Sequence, residues 1–185
     1  MRLLPCLASP RISAGRRGAL SYHFASKEQI AQAVIETQYL QWEDVLAAVR
    51  AGGFAGIDAL IVLSFVTAAR FRDDVLVRAA LRLLEDPALR EVELPTPFVG
   101  WIGITARLLT EAGSLGELDS ALPPQEAAEA LVELFVGAPA ISKQLTGMQD
   151  LTARVRRYWL LYLPGLGIHD GVERVPPLAR RAAAF

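Results

Sequence analysis

A long helix with a clearly marked start is the feature that most constrains how this chain can fold. Ser26 and Gln29 form a capping box, in which the serine hydroxyl accepts from the Gln29 amide and the glutamine side chain reaches back to the serine amide. Beyond them, apolar residues recur at helical spacing until Gly52 and Gly53 end the pattern. We therefore predict a helix of about 25 residues, which is long for a small domain.

Five further helices follow from the same kind of pattern, and no segment shows strand periodicity. Ala, Leu and Val abound while aromatic residues are few, a composition that favours helices because Ala and Leu lose little rotamer freedom in them. The predicted fold class is all-α. The further helices are expected from Gly56 to Arg72, Asp74 to Leu84, Pro97 to Ala112, Pro123 to Thr146 and Leu151 to Leu163.

Caps and prolines set the expected ends of these helices. Thr96 and Asp150 are good N-caps for the segments that follow them. Pro139 lacks an amide hydrogen, so it is expected to kink or interrupt the helix that contains it. Residues 167–185 contain two adjacent prolines and no sustained period, which predicts an irregular tail.

Motifs for catalysis and metal binding are missing from the sequence. The two histidines, His23 and His169, lie far apart, and the single cysteine, Cys6, cannot form an internal disulfide. No nucleophile elbow, phosphate-binding glycine loop or paired-histidine zinc motif occurs. The most apolar stretch, Ala59 to Ala69, is too short to span a bilayer. We expect a cytoplasmic protein that is not an enzyme and has no cofactor, metal or membrane partner.

Basic residues are concentrated at the start of the chain. Five of the 19 basic residues and none of the 20 acidic ones fall between Met1 and Lys27, which leaves a net charge of about −6 on the remainder. A short glycine-started helix that carries Arg16, Arg17, Ser21 and Tyr22, followed by a capped helix start, would place donors along one ridge suited to a DNA backbone. On composition alone, a solvated, disordered basic tail is the better interpretation.

The segment from Gly18 to Glu36, GALSYHFASKEQIAQAVIE, resembles the end of the helix-turn-helix and the start of the next helix in TetR-family repressors. The match rests on residues at eight positions of that pattern. They are Gly18, Ala19, Leu20, His23, Phe24, Ser26, Lys27 and Glu28. Later segments, among them ITARLLTEAGSLGEL and DLTARVRRYWLLYLPGL, resemble the γ-butyrolactone receptor branch from actinomycetes.

The resemblance implies a repressor that forms a homodimer through its two C-terminal helices, binds operator DNA and releases it when a small lipophilic effector, such as a γ-butyrolactone, enters a core pocket. Trp101 resembles the pocket-lining aromatic residue of the branch, with a plain core tryptophan as the alternative. Apolar helix faces suggest Phe65, Leu83, Thr105 and Phe135 as its neighbours. The DNA-contacting residues would be Arg16, Arg17, Gly18, Ser21, Tyr22, His23 and Lys27.

The beginning of the chain departs from the family pattern. Only 17 residues precede Gly18, and their prolines do not allow the two bracing helices that the family places there. Three interpretations stay open: a misplaced start or frame, a natural truncation that binds effector or forms heterodimers without reading DNA, or a decaying copy. The expected organisation is a helix-turn-helix remnant over 1–25, a helical ligand-binding and dimerisation domain over 26–166, and the tail.

Overall fold

A computed structural model describes residues 26–84, 86–89 and 98–185, and every regular element in these ranges is helical. The all-α prediction is confirmed. Short 3-10 turns also occur at Pro87–Leu89, Leu163–Leu166 and Ala182–Ala184. The α-helices are α1 (Lys27–Ala51), α2 (Gly56–Asp73), α3 (Val75–Leu84), α4 (Val99–Ser114), α5 (Pro124–Thr146), α6 (Leu151–Tyr162) and α7 (Gly171–Arg181).

The long helix α1 begins and ends where its sequence signals lie. The Ser26 hydroxyl accepts from the Gln29 amide at 3.3 Å, and Gly52 is the C-cap. Its buried side chains recur along one face, so that the helix packs against α2 and α3. The capped 25-residue helix predicted from the sequence is confirmed.

Helix α2 is the centre of the fold and packs against each of the other six α-helices. Its residues from Gly56 to Ala68 are buried with the single exception of Asp58, so almost every face of the helix meets a neighbour. A helix that is apolar all round is stable only inside a core. Among the described residues, none of the helices combines the length and apolar character required to cross a bilayer.

Helices α5 and α6 pack side by side and are joined by a tight turn. Helix α5 continues through Pro139, so the proline does not interrupt it. Asp150 stands at the N-cap position of α6, but its carboxylate makes no capping bond there. It accepts instead from Ser142 and Thr146 of α5 and from Arg154, one turn along α6 itself, all within 3 Å.

The expectation of an irregular tail over 167–185 is wrong. Helix α7 forms there despite its two internal prolines, and it packs on α2 and α6. Val175, Leu178 and Ala182 recur on one face and are buried, while Arg174 forms ion pairs with Asp58 and Glu117. Tertiary packing of this face outweighs the low intrinsic helix propensity of the prolines.

Candidate ligand-binding site

An apolar cavity of about 90 Å³ lies between α2 and the helices around it, with walls from α1 to α5. Its volume is several times what one water molecule requires. Five helices meet here without filling the space between them. The wall is formed by Ile35, Trp42, Leu60, Leu63, Ser64, Thr67, Phe71, Val77, Ala80, Phe98, Trp101, Thr105, Leu131, Val132, Phe135 and Val136.

Helical spacing explains why these side chains meet at one place. Leu60, Ser64, Thr67 and Phe71 stand three or four residues apart and form one stripe along α2. On α4 the cavity-lining residues Trp101 and Thr105 are four apart in the same way. The cavity is therefore built on regular helix faces, which hold its wall more firmly than loops would.

An aromatic cluster closes the side of the cavity between α1 and α4. The rings of Trp42 and Trp101 lie 4.3 Å apart between centroids and are tilted by 56°. Phe71 meets Trp42 edge-on, with centroids at 6.3 Å. The guanidinium of Arg70 lies 5.8 Å from the Trp42 ring. This arrangement fixes the middle of α1 against the cavity, because stacked and edge-on rings interact beyond their buried area.

Among the described residues that line the cavity, no side chain is charged, and the polar groups are three hydroxyls and two indole N–H groups. The Ser64 hydroxyl donates to the Ile61 carbonyl at 2.6 Å and accepts from the indole N–H of Trp159 at 2.7 Å. The Thr67 hydroxyl donates to the Leu63 carbonyl at 2.8 Å. A wall of this kind suits an uncharged, largely apolar ligand, since a buried charge would find no partner here.

Three of the five residues predicted to bind ligand line this cavity. They are Trp101, Thr105 and Phe135, and their role in binding stays a prediction. Phe65 is buried but is absent from the wall, because it follows Ser64 by about 100° around α2 and so leaves the lining stripe. Leu83 is half-buried, one turn beyond the lining residue Ala80, and is also absent from the wall.

Sequence reasoning missed the contribution of α1 to the wall. Trp42 falls within the apolar stripe that the sequence predicts on that helix, and nothing in the pattern distinguishes Ile35. A tryptophan in the middle of a long helix, with a second tryptophan predicted on another helix, was the available signal. Periodicity shows which face of α1 packs against other helices, but it does not show whether that packing leaves a cavity.

Six of the seven residues predicted to contact DNA are not placed by this structure. Arg16, Arg17, Gly18, Ser21, Tyr22 and His23 lie outside the described residues, as does the whole predicted remnant over 1–25. Lys27 is the first residue of α1. The DNA-binding role of these residues therefore stays a prediction.

A second surface of interest is the outer face of α5 and α6. Leu145 is 69% exposed and Leu161 is 73% exposed, with Leu134 and Ile141 also exposed on the same pair of helices. Large apolar side chains that remain in water mark a surface for association. The exposed charged residues of α5 are acids apart from Lys143 in its last turn, and those of α6 are bases. The acids are Glu126, Glu129 and Glu133, and the bases are Arg156 and Arg157.

The turn between α5 and α6 is held by Asp150. Its carboxylate accepts from Arg154, Ser142 and Thr146, and these bonds, with the Arg154 guanidinium contributing most, hold the pKa of Asp150 well below its usual range. Burial raises the pKa of Tyr162 at the other end of α6, where its hydroxyl donates to the Ala127 carbonyl of α5. Polar contacts thus join the two helices at both ends.

Comparison with known proteins places these features in context. The family model of the tetracyclin repressor-like C-terminal domain matches residues 54–167. The A-factor receptor protein of Streptomyces griseus is 32% identical over 163 residues, which cover 84% of this chain and 53% of that relative. The chain thus spans about half the length of this curated relative.

Solved structures of similar fold point the same way. One, described as the molecular basis for control of antibiotic production by bacterial hormones, is 32% identical with a TM-score of 0.76 and covers 81% of this chain and 79% of its own. A γ-butyrolactone receptor is 25% identical, with a TM-score of 0.69 and coverages of 91% and 79%. CprB from Streptomyces coelicolor, in complex with its operator sequence, is 26% identical, with a TM-score of 0.73 and coverages of 90% and 79%.

Proposed function

This chain belongs to the tetracyclin repressor-like family through its C-terminal domain, and from that premise we propose that it is a ligand-responsive transcriptional repressor. The observation that carries this proposal is the uncharged, mostly apolar cavity built on five helices. Its effector is a small lipophilic molecule of the γ-butyrolactone type, a class supported by the likeness to a γ-butyrolactone receptor. The protein acts in the cytoplasm, without catalysis.

Helix α1 connects the cavity to the segment that we propose reads DNA. Ile35 and Trp42 of α1 lie in the cavity wall, and the same helix begins at Lys27, directly after the GALSYHF segment. A ligand can shift the position of α1 only if it binds the protein more tightly with α1 in one position than in another. We expect Trp42 to provide that difference, because its ring packs against Trp101 in the cavity wall, where a ligand can change this contact.

The working unit in this proposal is a homodimer formed through the outer face of α5 and α6. A two-fold interface uses the same patch on both subunits, so α5 of one subunit can face α6 of the other. The exposed leucines and Ile141 would form its apolar centre. Glu126, Glu129 and Glu133 of α5 would then find Arg156 and Arg157 of the opposite α6, an arrangement that favours this pairing by charge.

The function is tested with the purified chain in a gel-shift titration on the DNA upstream of its own gene and on unrelated DNA of equal length. We expect tighter binding to the upstream DNA, and its release when a γ-butyrolactone is added at saturating concentration. The same lactone should raise the Tm, because a ligand that binds only the folded state stabilises it. Equal affinity for both DNAs would refute the repressor proposal, and a lactone that leaves the Tm and the DNA complex unchanged would refute the effector class.

The dimer is tested by sedimentation of Leu145→Asp and Leu161→Asp. Each should shift the chain from dimer to monomer, because a carboxylate at the apolar centre of an interface would be desolvated without a partner. Val172→Asp on α7 is the matched control, since Val172 is 67% exposed but belongs to neither helix of the proposed interface, and it should leave the dimer intact. Loss of the dimer in the control variant alone, or in none of the three, would contradict the proposed interface.

A further inference from the structure

Most threonine hydroxyls inside the described helices donate to a backbone carbonyl one turn earlier. Thr37, Thr67 and Thr110 each donate to the carbonyl four residues earlier, at 2.7 or 2.8 Å. Thr146 shares its hydroxyl hydrogen between the Ser142 carbonyl at 3.1 Å and the Asp150 carboxylate at 2.7 Å. This local bond satisfies a hydroxyl that would otherwise lose its water on burial. All four belong to helices that also line the cavity wall, so neither the wall nor its helices prevent the bond.

Thr105 makes no such bond. Thr152, at the exposed start of α6, makes none either, but its hydroxyl accepts from Arg72 at 3.5 Å. The Thr105 side chain is buried, with 4% of its surface exposed, and it lines the cavity on α4. Within the described part of the chain, its hydroxyl has no hydrogen-bond partner, although the Trp101 carbonyl lies four residues earlier on the same helix. Buried polar groups are almost always paired in folded proteins, so a lone one beside an empty space calls for an explanation.

A second unpaired group shares the wall. The indole N–H of Trp42, a residue only 7% exposed, also lacks a hydrogen-bond acceptor among the described residues. An indole can donate but not accept, and a threonine hydroxyl can do both. What these two groups have in common is a donor hydrogen. The partner that satisfies both is therefore an acceptor oxygen carried by an otherwise apolar molecule.

We propose that Thr105 is the specificity-determining residue of the cavity and that its hydroxyl donates to a carbonyl oxygen of the effector. This inference rests on the proposed function, since it assumes that the cavity holds the effector. The rest of the wall accepts any apolar chain that fits, whereas Thr105 selects molecules that carry the oxygen. A site that leaves a buried polar group unpaired rejects ligands lacking the matching group far more strongly than an apolar wall does.

The test compares Thr105→Val with Thr67→Val. Valine has nearly the shape of threonine and the same branching at Cβ, so both variants should fold and keep the cavity volume. Thr67 lines the same cavity, but its hydroxyl is already bonded to the Leu63 carbonyl, which makes it the matched control. The probes are γ-decalactone and 2-hexyltetrahydrofuran, which share a skeleton and differ in the ring carbonyl.

Titration calorimetry should show that Thr105→Val weakens the binding of γ-decalactone about tenfold, as expected for one lost hydrogen bond to a buried group. It should change the affinity for 2-hexyltetrahydrofuran less than about twofold, and Thr67→Val should change neither affinity by more than that. Without ligand, Thr105→Val should raise the Tm by about 2–4 °C, because it removes an unpaired hydroxyl. Thr67→Val should not raise it.

Two results would overturn the role of Thr105 while leaving the regulatory function in place. One is equal affinity of wild type and Thr105→Val for γ-decalactone. The other is a Tm of ligand-free Thr105→Val below that of wild type, which would mean that the hydroxyl is already satisfied. If wild type binds neither probe in calorimetry, the role of Thr105 fails together with the proposed effector class.

Discussion

The two sides of α2 differ in how completely they are packed and hydrogen-bonded. On the side that faces α7, Arg174 donates to Asp58 at 2.6 Å and to Glu117 at 2.7 Å, and Glu117 also accepts from the Ile57 amide at the start of α2. On the side that faces α4 and α5, space remains and the Thr105 hydroxyl is unpaired. The polar groups named on the first side have hydrogen-bond partners, whereas the Thr105 hydroxyl on the second side has none among the described residues.

This difference divides the surroundings of α2 into a scaffold, on the side that faces α7, and a site, on the side that borders the cavity. A side chain on the completed side loses packing and hydrogen bonds together when it is removed, and nothing can replace them. A side chain on the cavity side borders space that already exists, so its removal enlarges a void rather than creating one. Stability and ligand affinity should therefore respond to different residues, although both sets touch the same helix.

The largest contrast is expected between two tryptophans. Trp159 is fully buried, meets Phe135 and Tyr162 and donates to Ser64, so Trp159→Ala should lower the free energy of unfolding by about 3–5 kcal/mol. Trp101→Ala should lower it by only about 1–2 kcal/mol, because Trp101 is half-buried and faces the cavity. Urea denaturation at one fixed protein concentration measures both.

Effector affinity should rank the two variants in the opposite order. Thermal shift with γ-decalactone should vanish in Trp101→Ala, which removes part of the wall. If Trp159→Ala does not fold, Trp159→Phe takes its place, because phenylalanine keeps the core filled. Trp159→Phe should retain most of the thermal shift with γ-decalactone. Equal losses of stability in the two alanine variants, or an undiminished shift in Trp101→Ala, would erase the distinction between scaffold and site.

A smaller effect is expected from the ion pairs. The side chain of Arg174 is 19% exposed, and Arg174→Met leaves two partly buried carboxylates without their cation. We expect a loss of about 2 kcal/mol, less than for a fully buried pair because water reaches Asp58. Arg107→Met is the control, since its pair with Glu43 is more than half exposed on both sides, and should cost less than about 0.5 kcal/mol. Equal effects would show that α7 does not complete the scaffold.

Sequence patterns predicted the scaffold better than the site, for a physical reason. The capping box at Ser26 and the apolar stripe of α1 act locally, so the sequence displays them. Helix α7 depends on partners far along the chain, such as Asp58 for Arg174, and was missed. Trp101, Thr105 and Phe135 were placed on apolar faces and do line the cavity.

Phe65 shows where such reasoning fails. Helix α2 is apolar on nearly every side, so its periodicity cannot indicate which face borders an empty space and which meets a neighbour. Trp42 shows the converse, because an apolar stripe reports that a face is covered but not that a gap remains beneath it. Cavities arise from what several helices fail to fill, and no single segment of sequence carries that information.

The smallest effect is expected at Asp150, and it depends on pH. Arg154, Ser142 and Thr146 all donate to this carboxylate, so its pKa in the folded state lies below its unfolded value of about 3.9. A group with a lowered pKa binds its proton more readily when unfolded, so its stabilising contribution is present above that unfolded value and is lost as the pH falls towards the folded one. Asp150→Asn should therefore lower the Tm at pH 6 and have progressively less effect from pH 4 downwards.

Asp73 is the matched control for this pH series. Its pKa is also lowered, by a hydrogen bond from Arg72, but the pair is exposed and joins neighbouring residues of the chain. Asp73→Asn should change the Tm little at any pH, because an exposed local pair contributes almost nothing to folding. A Tm difference between wild type and Asp150→Asn that stays constant from pH 6 to pH 2 would mean that the carboxylate charge does not hold the turn. The joint between α5 and α6 would then rest on packing alone, and the completed scaffold would be less dependent on satisfied polar groups than its contrast with the cavity implies.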